Sequence, residues 1–162
     1  MGDGPCRRRW RGAGGHDPAR AGNAARTAHV RDRRAPMDGD QKTDLGIAYY
    51  MALNEMTNGR GTEEHWSTVA CALNIALVIA ETGPGLDSIS IIKSALAGAV
   101  RARDRAARVG KWGFDGDALI DIRIALETHD AQMATVSKAA ILKALGEVHR
   151  RIDAGEVFKE AA

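Results

Sequence analysis

The sequence predicts an all-α fold: a single bundle of about five antiparallel helices around a buried central helix, behind a disordered Arg-rich N-terminal leader. Three observations predict it. Between Trp66 and Ala80 the only clearly polar side chains are Ser67, Thr68 and Asn74, so a helix over Thr62–Gly83 is apolar nearly all round and needs cover on most sides. Other segments between residues 44 and 155 carry apolar residues at helical spacing, as the coat of such a bundle should. Residues 1–40 are dominated by Gly, Ala, Arg, Asp and Pro, and bury too little apolar surface to offset the entropy of ordering.

The chain divides accordingly into a leader (1–43), a helical bundle domain (44–155) and a short C-terminal tail (156–162) that should fray. Within the leader, residues 1–40 hold nine Arg and five Asp with no Lys or Glu, whereas the rest holds fourteen Lys and Arg against sixteen Asp and Glu. The basic balance of the whole chain therefore comes from the leader, and the mildly acidic bundle gives no general reason to expect nucleic-acid binding. Arg7, Arg8, Arg9 and Arg11 could bind phosphates with Trp10 stacking on a base. The five Asp argue against an organelle-targeting peptide, and no apolar stretch follows the Arg cluster to make a secretory signal. The plainest reading is a dispensable leader, such as an over-long gene start before Met37.

The first helix is expected from about Asp44 to Thr57, with Leu45, Ala48, Tyr49, Ala52 and Met56 facing the core and Tyr50 and Asn54 nearer solvent. Asn58-Gly59-Arg60-Gly61 stops it and turns the chain into the second. Thr62 caps that second helix, Glu63 and Glu64 suit its positive end, and Gly83-Pro84 ends it. Its apolar run is too short for a bilayer, which takes about 20 residues. The third helix runs from near Asp87 to Val109, with Ile89, Ile92, Leu96, Ala99 and Val100 inward. Asp115 or Asp117 caps the fourth, from about Asp117 to Ala134, and Leu119, Ile122, Leu126, His129 and Met133 form its apolar stripe. Ser137 caps the fifth, from about Lys138 to Ala154, with Ile141, Leu145, Val148 and Ile152 inward and Gly155 as its stop.

Three groups of residues are candidates for function. Arg101, Arg105 and Arg108 recur on one side of the third helix, with Asp104 placed to pair with Arg101 or Arg108. They form a solvated face or a patch for an acidic partner. Trp112 and Phe114, in the Gly-rich connection after that helix, either seal the end of the bundle or anchor a partner. His129, with Asp130 and His149, is the only place where a polar site near the core is expected.

Catalytic and metal motifs are missing. No H-x-x-x-H, E-x-x-H or G-x-S-x-G occurs, and in Glu127-Thr128-His129 and Glu147-Val148-His149 the two-residue offset turns acid and imidazole apart on a helix. Cys6 and Cys71 do not suggest a disulfide, and Cys71 reads as a small core residue; a cytoplasmic setting fits. No metal or cofactor is expected.

The segments DLGIAYYMALNEMTNGRGTE, HWSTVACALNIALVIAETG, GKWGFDGDALIDI, ETHDAQM and EVHRRIDAGEV resemble a group of small helical proteins from proteobacterial phages and other mobile elements. The resemblance spans about residues 44–157, carries no catalytic motif and implies a mobile-element origin without an assigned activity. The expected function is non-catalytic: a small cytoplasmic interaction or accessory protein with a protein partner or a second copy of itself, without membrane association. The alternative is a nucleic-acid-binding accessory protein using the leader and the basic end of the third helix; the third reading is a metal or acid–base site at His129.

Overall fold

The computed structural model describes Ala35 and residues 37–156, which belong to one compact unit of the chain, 33–162. Among the described residues the regular structure is helical: α1 (Gly39–Thr57), α2 (Glu63–Glu81), a 3-10 turn (Leu86–Ser88), α3 (Ile89–Val109), α4 (Gly116–Thr135) and α5 (Lys138–Asp153). The leader's Arg cluster with Trp10, and the tail beyond Glu156, lie outside the described residues.

Side-chain caps set most helix starts by supplying acceptors to orphaned amides. Thr62 accepts from His65 N, Asp115 from Ala118 N and Ser137 from Ala140 N, as the sequence suggests. Helix α1 differs: it begins at Gly39, not Asp44, because Asp38 caps it through Gln41 N at 2.8 Å. The added turn, Gly39-Asp40-Gln41-Lys42-Thr43, is polar throughout, so apolar spacing could not reveal it. Helix α3 also starts later than Asp87, which lies in the 3-10 turn entered through Gly85 at φ +88°.

The core is built around α2, which packs against each of the other four helices. It buries Val69, Ala70, Ala72, Leu73 and every residue from Ala76 to Ala80. One cluster joins it to Tyr49, Leu53 and Met56 of α1, Ile92 and Leu96 of α3, and Ile122 and Leu126 of α4. A second, smaller cluster joins Val78 and Ile79 to Met133, Val136 and the α5 residues Ile141, Ala144 and Val148, with Met37 packed against it. Helix α5 therefore depends on the C-terminal half of α2. Ala35 supports its start, since its carbonyl accepts from Lys138 N at 2.9 Å. The final turn is tied back by Arg151, whose guanidinium reaches Glu81 at 2.6 Å.

Helices α3 and α4 approach each other at Gly98, where a Cβ would collide with Ala118 Cβ. Nothing larger than hydrogen fits at that position. Seven residues expected to face the core do so poorly: Leu45, Ala48 and Ile152 are exposed, bordering open spaces that no described helix fills, and Ile89, Val100, Leu119 and Leu145 are half-buried.

Leu73 is 0% exposed at the centre of α2. Leu73→Ala should lower the unfolding free energy by about 2–5 kcal/mol in urea melts, the range for core truncation. A loss under about 1 kcal/mol would remove α2 from the centre of the core.

Candidate functional site

The arginine and aromatic candidates meet at one end of the bundle, where they hold loops together. Arg101 binds Asp115 through Nε at 3.0 Å and a second nitrogen at 3.3 Å, while Asp115 also caps α4. The Arg101 guanidinium holds the Asp115 carboxyl below the usual carboxylate range. Arg105 donates to the Gly113 carbonyl. Asp104 pairs with its neighbour Arg103 at 3.0 Å, and neither expected helical pair, with Arg101 or with Arg108, forms. Arg108 is exposed, and beside Arg101, Asp104, Arg105 and Asp115 it borders a small polar hollow.

Trp112 is half-buried with its ring 5.6 Å from that of Trp66, whose Nε1 donates to Ala99 O at 2.8 Å. Phe114 is buried in the main core, so it offers little surface to a partner. The backbone at Gly61 pairs with Trp112 so closely that a side chain at Gly61 would strike the Trp112 carbonyl at 2.7 Å. Aromatic rings, an arginine clamp and a backbone bridge thus fasten the α1–α2 connection to the α3–α4 connection.

His129 sits on the inward stripe of α4 and is 3% exposed. Its ring lies 5.7 Å from that of Tyr49. Nδ1 is sealed from solvent without a hydrogen bond, as is Oε1 of the neighbouring Gln132. The Gln132 amide is held the other way, donating to Ala76 O at 3.1 Å and Pro84 O at 2.8 Å. Burial pushes the imidazole toward its neutral form; Gln132 and, more weakly, Asp130 oppose that, although no hydrogen bond of good geometry joins His129 to Gln132.

Asp130 turns away from His129, accepting from Tyr49 Oη and, at 2.8 Å, from Tyr50 Oη. Burial, reinforced by Asp130, pushes both phenols well above their ordinary range, so they remain protonated donors. This link between α1 and α4 uses the very carboxylate that a His129–Asp130 acid–base pair would need. His149 is exposed on α5 and borders a different hollow from His129, so the structure does not assemble the three polar candidates. Among the described residues no three metal-capable side chains converge.

Two spaces flank α2 on either side of Ser67 and Cys71, which border both. The larger, about 570 Å³, is a groove with α2 as floor and α3 and α5 as walls. Ala70, Leu77, Leu96, Ala99 and Val100 make it apolar, and Lys93, Arg103, Glu81 and Glu156 lie at its charged rim. The smaller, about 420 Å³, lies among α1, α2, α4 and α5 and has His129 in its wall. Cys71 is half-buried between them, and burial pushes its thiol pKa up, away from reactive thiolate character. Sequence spacing indicated neither space, because each is a gap between helices. The one signal was the run Ser67–Ala70–Cys71–Asn74, the small and polar side of an otherwise bulky helix.

Comparison of the chain with protein-family models, curated proteins and solved structures finds no match. The fold and site define the class alone: an all-helical bundle with two hollows beside its central helix, in which no described helix is long and apolar enough to cross a membrane.

The buried imidazole makes stability depend on pH. An unfolded His129 takes up its proton near 6.5, whereas the folded ring resists protonation. The unfolded state thus binds more protons as pH falls through that value, so this share of stability is present above it and is lost below. Urea melts at about pH 7.5 and about pH 5 should show a larger loss for wild type than for His129→Gln, which has no titrating ring. Parallel losses in the two proteins would mean that the ring titrates as in solvent.

Proposed function

We propose that this chain is a non-catalytic interaction or accessory protein, of mobile-element origin and cytoplasmic, and that it works by taking a helix of a protein partner into the groove between α3 and α5. The groove carries this reading: an apolar floor between two walls of helix, with exposed charged side chains in its lining, matches the apolar stripe and polar flanks of an amphipathic helix. The favoured occupant is a second copy of the chain. Ile152 stands 54% exposed at the edge of the groove, and Ile47 and Met51 leave α1 with an apolar outer face that could supply the inserted helix.

This reading keeps the class of function expected from the sequence and moves its contact surface. Arg101 and Arg105 are engaged in holding the α3–α4 connection, and Phe114 is in the core, so the groove replaces them as the surface for contact. Nucleic-acid binding through the leader and the exposed Arg108 is the second reading, favoured by the concentration of nine Arg in residues 1–40.

Sedimentation measurements across a range of protein concentrations test the first reading. The wild type should dimerise, and Ile152→Glu should shift the equilibrium to monomer with an unchanged melting temperature, because that side chain is exposed. Ile120→Glu, on the outer face of α4, should leave the dimer intact. A wild type that stays monomeric at every concentration would contradict self-association. Equal weakening by both substitutions would place the interface elsewhere.

A further inference from the structure

The cavity beside His129 has a chemistry of its own, independent of the groove and of any protein partner. Its wall is formed by Leu45, Ala48, Ala72, Ile75, Met133 and Ile141, together with the rings of Tyr49 and His129. The hydroxyls of Tyr49, Ser67 and Thr68, the Cys71 thiol and the Glu64 side chain also border it. The Tyr49 hydroxyl donates to Asp130, and the Thr68 hydroxyl donates to the Glu64 carbonyl at 2.9 Å. Among the bordering residues His129 has a nitrogen, Nδ1, that is buried and unpartnered. A buried imidazole with no hydrogen bond is costly, since its desolvation is not offset.

The arrangement indicates how the ring is completed. Gln132 Oε1 is also buried and unpartnered, and its amide nitrogen is fixed by two backbone carbonyls. A small rotation that lets Nδ1–H donate to Gln132 Oε1 satisfies both atoms and fixes the tautomer. Nε2 then becomes a lone-pair acceptor, and the cavity is the space that its ring borders. A group entering the cavity must therefore bring a hydrogen-bond donor.

The charges restrict the rest of the ligand. Among the described residues no Lys or Arg lines the cavity, and the carboxylate in its lining is that of Glu64. An anion would be repelled, and a cation would lose its hydration against an apolar wall. A sugar or nucleotide carries more polar groups than one imidazole can satisfy. The flat rings of Tyr49 and His129 and the thioether of Met133 favour an aromatic body over a flexible chain.

We propose that this cavity is a binding site for a small neutral aromatic alcohol of the alkylphenol class, whose hydroxyl donates to His129 while its ring and alkyl group fill the apolar wall. The site uses His129 for recognition and involves no covalent step. Gln132 is the positioning residue that fixes the tautomer.

Calorimetric titration of the full chain with 4-propylphenol, and in parallel with propylbenzene, tests it. The phenol should bind, and should bind about tenfold more tightly than the hydrocarbon, the difference made by one hydrogen bond to a buried acceptor. In ¹⁵N NMR of the wild type, the His129 Nε2 resonance should shift on addition of the phenol and stay in place with the hydrocarbon. His129→Phe should remove the preference for the phenol and leave hydrocarbon binding in place. Should that variant fail to fold, the wild-type nitrogen shift decides. Ala48→Trp, at an exposed position on the cavity wall, should abolish binding of both ligands at unchanged melting temperature. The proposal is overturned if neither ligand binds, if both bind equally, or if the phenol binds without moving the His129 nitrogen.

Discussion

The burial demand of α2 is the constraint on which the rest of the fold depends. A helix whose buried positions run without interruption from Ala76 to Ala80 needs neighbours around most of its circumference there. Helices α1, α3 and α4 meet it in the main core, and α5 closes the remaining side through a smaller second cluster. At about 1.5–3 kcal/mol for each large side chain taken from water, the contacts with α2 outweigh any single cap or ion pair in the molecule. The exposed ion pairs, including the Glu147 carboxylate held down to about 2 by Arg150 and Arg151, adjust surfaces and add little.

The same demand explains where the open spaces fall. From Ser67 to Asn74 the helix is less uniformly apolar, with Ser67, Thr68, Cys71 and Asn74 interrupting its bulk. Coverage is correspondingly incomplete there, and the groove and the His129 cavity occupy the two sides of that stretch. Asn74 and Thr68 tolerate partial exposure because each side chain hydrogen-bonds back to its own helix, to Ala70 O and Glu64 O. Small and polar residues on a core helix thus mark the places where the protein has room for something else.

Much of this was legible in the chain itself. The all-helical class, the five helices, the caps at Thr62 and Ser137 and the inward position of His129 all follow from spacing and cap chemistry, and the structure settles the choice between Asp115 and Asp117 for Asp115. Misreadings arose where tertiary geometry decides. The first turn of α1 is polar and has no apolar period to betray it. Leu45 and Ile152 have inward spacing but no helix opposite them. Asp104 has helical partners at the right offsets yet turns to Arg103, while Asp115 engages Arg101. The Tyr49–Asp130–Tyr50 link joins residues about eighty positions apart, so no local pattern could have shown it.

If α2 is the helix on which the others are assembled, its amides should open only when the whole unit unfolds. Native-state hydrogen exchange measures this directly, residue by residue. The amides from Leu73 to Ala80 should exchange with the free energy of global unfolding, while those of α5, held mainly by the smaller cluster, should exchange through a lower-energy opening. Exchange of the Leu73–Ala80 amides at lower free energy than those of α5 would contradict the account, because the central helix would then be opening while its coat stayed folded.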